Sequence, residues 1–407
     1  MRPRVTDRVA PASPVSPGLV LTLGLLAATA PLSLDAYLPA LPAMATEFGV
    51  TAQEIQLTLT ACLLGLGAGQ ILAGPLGDRW GRRIPLIVGA VLYVLASIAC
   101  ALAPTAGALI ALRFVQGLAG AVGLVLSRAV VHDVVRGRHA TSLYSHMAAI
   151  SGAAPIIAPV VGGLIITASG WRVVFLMLAG LGIVMAAAVF FVVEETHPLH
   201  KRTSAGLRSV LRAFAALLRD RGFASYALLV MLGSAFLFSY ISSAPFVLQT
   251  VFGLTQLQFA LSFAAVGTGL VLASVLNARL VRRHEPLRVL RSAALVQVAG
   301  VAALLAFIVV RVVVGWTSIP LLIALLVWAV VPFGFITPTG TSLAMERSGN
   351  RAGSASGLLG AGMFLIGGFV SPLSGWGNPA LIMSALMLAF STGIAIVTIV
   401  LSRQRPM

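Results

Sequence analysis

Charged side chains are scarce in this chain, and acidic ones are scarcer than basic ones. Of its 407 residues, 9% are charged, with 11 Asp and Glu against 27 Lys and Arg, whereas 59% are hydrophobic and the mean hydropathy is +1.02. Soluble globular proteins are usually about 45–50% apolar. The composition therefore excludes a soluble globular protein and predicts an integral membrane protein.

Cysteine is almost absent, and no metal-binding pattern is present in the sequence. Cys62 and Cys100 lie inside apolar runs, where buried thiols are expected rather than a disulfide. The six histidines stand at no metal-ligand spacing from Cys, Asp or Glu, and no nucleophile arrangement, phosphate loop or nucleotide site is found. We therefore expect no metal, no cofactor and no enzymatic chemistry, so that an ion gradient must drive any activity.

Long apolar runs, by contrast, fill the chain. A helix needs about 20 residues to cross ~30 Å of hydrocarbon, and twelve runs meet that length. The sequence thus predicts an all-α membrane protein with twelve transmembrane helices. The predicted spans are 18–41, 54–73, 84–103, 107–127, 141–168, 172–193, 223–248, 257–278, 289–311, 318–341, 353–375 and 379–402.

The basic residues are distributed unevenly between the loops. If the N-terminus is cytoplasmic, 24 of the 27 Lys and Arg lie on the cytoplasmic side, and only Arg113, Arg172 and Arg311 lie elsewhere. This asymmetry satisfies the positive-inside rule, so it predicts cytoplasmic termini in a multi-pass protein of the cytoplasmic (inner) membrane. It also accounts for the pI of about 11.6 without a nucleic-acid partner.

The longest polar stretch separates spans six and seven and divides the chain into two halves. We predict a cytoplasmic N-terminal tail, a six-helix bundle, a cytoplasmic linker with a short amphipathic helix, a second six-helix bundle and a C-terminal tail. Their boundaries are 1–17, 18–193, 194–222, 223–402 and 403–407.

The two halves repeat each other weakly in sequence. FGVT at 48–51 is matched by FGLT at 252–255, and the same offset of 204 residues aligns Gly65 with Gly269. Internal repeats in transporters place a central site between halves that rock around it. The repeat therefore predicts two pseudo-symmetric halves.

Four motifs in the first half connect the chain with a known family. They are LDAYLPALPAMATEFG at 34–49, GPLGDRWGRR at 74–83, RFVQG at 113–117 and APVVGG at 158–163. With them, the chain resembles a major facilitator superfamily transporter, and it is similar to the proton-driven drug exporters of the bicyclomycin and chloramphenicol resistance (Bcr/CflA) subfamily. The resemblance implies the major facilitator fold and alternating access to a cavity between the halves.

The motif at 74–83 matches the superfamily's loop motif. Gly74 is expected to let a neighbouring helix approach closely, and Asp78 to pair with arginine or to lie at a positive helix N-terminus. The resemblance implies that Asp78 and Arg79 latch the cytoplasmic ends of the halves together when the cavity faces outward; the alternative is a loop whose arginines set only topology. Arg128 and Asp133 are expected to pair at the same boundary. The gating residues are Gly74, Asp78, Arg79, Gly81, Arg82 and Arg83.

Away from the ends of the predicted spans, two charges remain, Asp35 in the first and Arg113 in the fourth. A charge near the bilayer centre costs roughly 2.5–3.5 kcal/mol on insertion scales, so neither is expected to face lipid. Both lie about 9 Å from the outer end at 1.5 Å per residue. Since both spans line the cavity in facilitator folds, the resemblance implies a direct or water-mediated contact between the two side chains.

Asp35 is the candidate carrier of the coupling proton. Burial favours a neutral carboxylic acid, whereas a nearby arginine favours the carboxylate, so a site between these effects would bind a proton from outside and release it inward. We expect Arg113 to tune this exchange and Gln116 to be its polar neighbour in the cavity. The structural alternatives are a fixed pair joining two helices and an interhelical hydrogen bond of Gln116.

Span five resembles the family's antiporter motif, with Ala158 in place of a glycine. Its prolines are expected to bend the helix and its glycines to permit close contact with a neighbour. Packing alone is the alternative explanation. The residues concerned are Gly152, Pro155, Pro159, Gly162 and Gly163.

Four aromatic residues are candidates for the substrate cavity, although aromatic side chains in membrane helices more often face lipid or the helix core. The position related to Asp35 by the repeat is Ser239. The aromatic candidates are Tyr37, Phe236, Phe238 and Tyr240.

These features together predict proton-coupled efflux of small amphipathic drugs or antibiotics, with phenicol-like compounds among the candidates. The expected partners are a small-molecule drug, protons and the lipid bilayer, and a monomer is expected. A proton-coupled importer or exporter of a specific metabolite is the alternative within transport. From another class, a polytopic receptor or enzyme remains, and an enzyme would need a cluster of acids, histidines or a nucleophile facing the cavity.

Overall fold

A computed structural model of the chain describes residues 16–135, 138–202, 206–375 and 377–403, so most of the two predicted terminal tails lies outside the described residues. Each predicted span is a helix long and apolar enough to cross a membrane, which confirms the predicted fold class. These helices are α1 Pro17–Phe48, α2 Ala52–Trp80, α3 Arg83–Ala101, α4 Ala106–Val134, α5 Leu143–Ser169, α6 Trp171–Val192, α7 Arg221–Val251, α8 Gln256–Leu280, α9 Pro286–Val314, α10 Ile319–Glu346, α11 Gly349–Leu373 and α12 Pro379–Ser402.

Proline marks irregular points in three of the membrane helices. α1 passes through a 3-10 turn that contains Pro39, α7 changes to a π-helical segment directly after Pro245, and α10 is interrupted at Pro332. Proline has no backbone N–H to donate and its ring crowds the preceding turn. The ladder of backbone hydrogen bonds therefore changes at these residues.

Helices pack in the same pairs in each half. In the first half α2 packs on α4, α3 on α6 and α1 on α5, and in the second half α8 packs on α10, α9 on α12 and α7 on α11. Between the halves, α2 packs on α11 and α5 on α8. The six-helix pattern thus occurs twice, and the two copies meet along two helix pairs.

The repeated FG-x-T segments form the same local structure. Gly49 and Gly253 both adopt positive φ angles, of 65° and 74°, which a residue without Cβ adopts at little cost. Thr51 then caps α2 and Thr255 caps α8, each in a capping box with the residue three positions later. The repeat therefore specifies one turn and one helix start in both halves.

Glycines bring α2 and α4 into backbone contact. A Cβ at Gly65 would lie 2.2 Å from the Phe114 carbonyl oxygen, and one at Gly117 would lie 2.2 Å from the Cys62 carbonyl oxygen. In the second half, a Cβ at Gly269, the repeat-related position of Gly65, would lie 2.5 Å from the Val331 side chain of α10. Small residues at such positions allow membrane helices to pack by close van der Waals contact.

The linker forms the expected amphipathic helix, Leu207–Arg219. Its Phe214 and Leu217 are buried in an apolar cluster with residues of α7, α10 and α11, whereas Arg208 and Arg212 are exposed. The helix is therefore attached to the second half through its apolar face.

Two ends of the helix bundle differ in charge. The basic end consists of residues 79–83, 128–135, 194–202, 206–221, 279–291 and 346–352, and the opposite end of residues 36–52, 101–106, 169–172, 246–256, 314–319 and 371–375. The basic end is the one for which the positive-inside rule predicts the cytoplasmic side.

Candidate functional site

Arg113 lies inside the first half, with no exposed surface. Its Nη2 donates to the Ser33 carbonyl oxygen at 3.0 Å, and its Nη1 donates to Gln116 Oε1 at 2.5 Å. The guanidinium carbon lies 4.3 Å from the centre of the Tyr37 ring and 5.6 Å from that of Phe175. Hydrogen bonds and cation–π contacts thus replace the water that this charge loses on burial.

A chain of buried polar groups extends from Arg113 to α3. The Gln116 amide nitrogen donates to Ser97 Oγ at 2.7 Å, and Ser97 Oγ donates to the Tyr93 carbonyl oxygen at 2.7 Å. The Tyr93 hydroxyl shares a hydrogen bond of 2.7 Å with Ser33 Oγ on α1. This network joins α1, α3 and α4 within the first half.

Asp35 and Arg113 form no direct ion pair in this structure, and a water-mediated contact between them stays a prediction. No ion pair between them is present within the described residues, and the groups that surround Arg113 all belong to the first half. Arg113 and Gln116 are therefore held by contacts within the first half, where oxygens and aromatic rings already stabilise the guanidinium without Asp35. Their expected place in the central cavity stays a prediction.

Asp35 lies instead beside the second half. It is 5% exposed and ends the first helical segment of α1. Tyr240 of α7 lies within electrostatic range of its carboxyl group, and the Tyr240 hydroxyl is buried with no hydrogen-bond partner in the described part of the chain. A buried carboxyl group of the first half and an unpartnered hydroxyl group of the second half thus lie within electrostatic range of each other.

The aromatic candidates divide between the two halves. Tyr37 lies under Arg113 and shares a hydrogen bond of 3.2 Å with Thr58, while Tyr240 stacks on Phe263 with ring centres 5.6 Å apart. Phe238 lies 6.4 Å from Phe364 of α11, and Phe236 is fully buried. Of the two tyrosines, Tyr240 is the one with Asp35 in electrostatic range.

Arg82 is the centre of the loop motif. Its Nη1 donates to Asp78 at 2.8 Å and its Nε donates to Asp133 at 3.0 Å, and 9% of its side chain is exposed. Asp133 therefore pairs with Arg82 and not with Arg128 as expected, because Arg82 reaches it from the neighbouring α2–α3 turn. Asp78 is engaged within its own half, and the latch between the halves stays a prediction.

Glu195 holds the same loop from the end of α6. It accepts hydrogen bonds from the backbone N–H groups of Arg82 and Arg83, at 2.8 and 3.4 Å, and its Oε2 lies 3.6 Å from Arg202 of the linker. A carboxylate at the first N–H groups of α3 satisfies donors that have no partner in the helix. Gly81, with φ of 87°, leaves the room, since a Cβ there would lie 2.2 Å from Glu195 Oε2.

Arg83, Arg79 and Gly74 of the loop motif lie apart from the contacts of Arg82. Arg83 donates to the Phe190 carbonyl oxygen at 2.7 Å, and Arg79 is exposed at the basic end. Within the described residues, no atom of a neighbouring helix lies within 4 Å of a Cβ built at Gly74, so the expected close approach of a helix is wrong there. The close contact belongs to Gly77, where a Cβ would lie 2.6 Å from Leu126 of α4.

Span five packs closely at only part of its motif. A Cβ at Gly162 would lie 1.8 Å from the Ala36 carbonyl oxygen of α1, and one at Gly163 would lie 3.1 Å from the Ala260 Cβ of α8. A Cβ at Gly152 would lie 4.0 Å from the Val271 side chain, so close contact is not formed at that glycine. Pro155 and Pro159 remain inside one continuous helix.

Comparison with known proteins gives the family. The model of the Major Facilitator Superfamily matches residues 23–372, which is most of the chain. The chain belongs to this superfamily.

The relatives of this facilitator include proteins named for drug resistance. It is 36% identical to the uncharacterized MFS-type transporter YdgK of Bacillus subtilis (strain 168) over 88% of each chain. It is 33% identical to a chloramphenicol resistance protein of Pseudomonas aeruginosa, over 70% of this chain and 67% of that one, and 29% identical to a bicyclomycin resistance protein homolog of Haemophilus influenzae, over 87% and 88%. The similarity to this subfamily, predicted from the motifs, is confirmed.

Solved structures agree on the fold. The facilitator aligns with a mutant of the nucleoside transporter NupG with a TM-score of 0.74 at 14% identity, over 95% of this chain and 100% of that one. A match at this identity concerns the fold alone. Twelve spanning helices and superfamily membership indicate a multi-pass inner-membrane protein.

Hydrogen bonds tie the two halves of the facilitator together at its opposite end. The Gln56 amide on α2 donates to the Ser242 carbonyl oxygen of α7 at 3.0 Å, and the Gln249 amide on α7 donates to the Pro39 carbonyl oxygen of α1 at 3.1 Å. These contacts lie between Asp35 and the opposite end of the bundle, where the loop between α1 and α2 lies. The structure is therefore a state in which the halves are joined at this end.

Sequence reasoning missed several of these polar residues. Tyr93 and Ser97 stand four apart within the apolar α3, and that spacing, which places both on one helix face, is a signal that could have indicated a buried network. Glu195 follows the apolar run of span six directly and faces an arginine-rich loop. No sequence pattern indicated the role of Gln56, because its hydrogen-bond partner is a backbone carbonyl oxygen of the other half.

Proposed function

We propose that this facilitator exports small amphipathic drugs in exchange for protons, with phenicol-like antibiotics as the first compounds to test. The names of its relatives support drug export, since they describe chloramphenicol and bicyclomycin resistance. Superfamily membership makes it a transporter, which is not a class of enzyme. Protons moving down their gradient would supply the free energy, with no cofactor.

The proposed proton coupling rests on a single observation, the burial of Asp35 without a paired cation. Its carboxyl group is almost fully buried at the boundary between the halves, and no cation pairs with it in the described residues. An unpaired carboxylate in such a place is costly, so the neutral acid is favoured while the opposite end is closed. Separation of the halves at the opposite end would expose the group to external protons, and water that enters later from the basic end would favour release of the bound proton inward.

Tyr240 would couple that protonation to the contact between the halves. Its unpartnered hydroxyl belongs to the second half, and the residue lies within electrostatic range of Asp35. A hydroxyl group can donate to a carboxylate or accept from a carboxylic acid. Proton release and drug binding would then act on the same boundary, which alternating access requires.

The test is efflux of an antibiotic and dye panel from energised cells, measured with and without a protonophore, for the wild type and Asp35→Asn. We expect wild-type export to stop with the protonophore and gradient-driven export to be lost in the variant, because an amide cannot carry the proton. Ser239→Ala is the matched control, since this buried serine occupies the repeat-related position and its hydroxyl bonds only to the Ala235 carbonyl oxygen in the described residues.

Other outcomes would contradict the proposal. Export by Asp35→Asn that still follows the proton gradient would remove Asp35 as the carrier. Proton-driven accumulation of a compound inside wild-type cells would instead identify an importer, and the metabolite-transport alternative would replace drug efflux. Equal expression of all variants, measured in isolated membranes, is required for either conclusion.

A further inference from the structure

A groove opens at the basic end of the second half, away from the boundary between the halves. Its volume is about 380 Å³. α8 and α9 both pack on α10 but hardly on each other, so the groove lies between them, with α10 beneath. It is lined by Leu280, His284, Arg288, Val289, Ser292, Ala293, Val296, Pro332 and Phe335.

The lining changes in character along the groove. His284 and Arg288 line the groove beside the charged loop, at the end that we call its mouth, whereas Ala293 and Val296 line it further along α9 and Phe335 lines it from α10. From Arg288 to Val296 the helix α9 rises about 12 Å at 1.5 Å per residue, which approaches the ~15 Å thickness of one hydrocarbon leaflet. The shape and depth therefore suit one extended acyl chain with its polar group at the mouth.

The loop at the mouth carries an uncompensated positive charge. Residues 279–291 contain five arginines and one acid. That acid, Glu285, pairs with Arg288 at 3.0 Å, and no ion pair within the described residues holds the other four arginines. An inorganic anion would complement this charge and leave the apolar groove empty, and a neutral amphiphile would fill the groove and leave the charge unmatched.

We propose that this groove binds an anionic phospholipid of the leaflet at the basic end. The phosphate lies at the arginines of the α8–α9 loop, and one acyl chain follows α9 over Pro332 and Phe335. Basic pockets between membrane helices at the cytoplasmic side are suited to anionic lipid headgroups. The lipid would also cover the interruption of α10 at Pro332, where the regular helical hydrogen bonds are broken. This inference does not depend on drug export or on proton coupling.

The experiment is native mass spectrometry of the purified full-length protein, titrated with dioleoyl phosphatidylglycerol or with dioleoyl phosphatidylcholine. Two variants address the two parts of the site: Arg282→Gln/Arg288→Gln removes charge at the mouth, and Ser292→Trp fills the groove from an exposed position on α9. Arg208→Gln/Arg212→Gln is the matched control, because it removes the same charge from the linker helix at the same end. Circular dichroism confirms that each variant is folded.

We expect the wild type to prefer phosphatidylglycerol over phosphatidylcholine. The mouth variant should bind phosphatidylglycerol more weakly by roughly fivefold or more per arginine removed, Ser292→Trp should also bind it more weakly, and the linker control should bind it as the wild type does. Equal binding of both lipids, or equal losses in the mouth variant and the linker control, would overturn the proposal. Displacement of the lipid by inorganic phosphate alone would overturn it in favour of a simple anion site, and displacement by chloramphenicol would overturn it in favour of a drug site.

Discussion

Arg113 is held by an aromatic ring, a backbone carbonyl and an amide rather than by an acid. A guanidinium offers five N–H donors in a plane and a flat face, so neutral oxygens and a ring can together replace its hydration. The arrangement leaves the buried acid of α1 free to change its protonation without breaking an ion pair. At the scale of residues, the positive and negative charges of the first half therefore have separate roles.

Replacement of Arg113 should destabilise the first half. In Arg113→Ala, Gln116 and the Ser33 carbonyl oxygen lose a charged donor, and hydrogen bonds to charged groups contribute about 1.5–3 kcal/mol. We expect a clearly lower thermal unfolding midpoint of the purified protein in detergent, with a smaller loss in Arg113→Lys. Arg208→Ala, on the exposed face of the linker helix, should leave the midpoint unchanged, and an unchanged midpoint in Arg113→Ala would contradict the structural role.

Helix pairs in this protein are set by single glycines at particular turns. Gly65 of α2 and Gly117 of α4 each lie against the backbone of the other helix, and Gly162 of α5 lies against the backbone of α1. Close approach of two membrane helices is favoured by packing and not by exclusion of water, since lipid is as apolar as the helix surface. A methyl group at such a contact therefore acts on the whole pair of helices.

Gly162→Ala and Gly74→Ala test whether a methyl group at a close helix contact disturbs the pair of helices. The first places a Cβ 1.8 Å from a carbonyl oxygen, so α1 and α5 must separate, and we expect a lower yield of folded protein and weaker transport. The second places a Cβ in open space within the helix α2, where alanine is also the better helix former. We expect Gly74→Ala to fold as the wild type does, measured by size-exclusion chromatography in detergent. Equal behaviour of the two variants would contradict the geometry.

The molecule as a whole is joined at its opposite end. α1, α2 and α7 exchange hydrogen bonds between the halves there, and Gly163 of α5 lies against Ala260 of α8. The ion pairs of Arg82 at the basic end are made within the first half. Alternating access would require the contacts at the opposite end to open while contacts between the halves form at the basic end.

A disulfide between Gly163→Cys and Ala260→Cys should lock the halves together at the opposite end. The Cβ at position 163 would lie 3.1 Å from the Cβ of residue 260, near the 3.5–4.5 Å usual for disulfides. In a background with Cys62 and Cys100 replaced by Ser, we expect oxidation to stop efflux and reduction to restore it. Each single cysteine variant is the control, and full transport by the oxidised double variant would show that these helices need not separate.

The sequence by itself determined the number of spanning helices, their order in two halves and the end that carries the arginines. These properties depend on hydropathy over about 20 residues and on charge in loops, which are local features of a chain in a bilayer. Tertiary structure alone decided that Arg113 turns toward Tyr37 and Ser33, that Asp35 lies within electrostatic range of Tyr240, and that Gly77 rather than Gly74 meets α4. Each of these depends on how a helix is rotated against partners far away in the chain, and a motif does not encode that rotation.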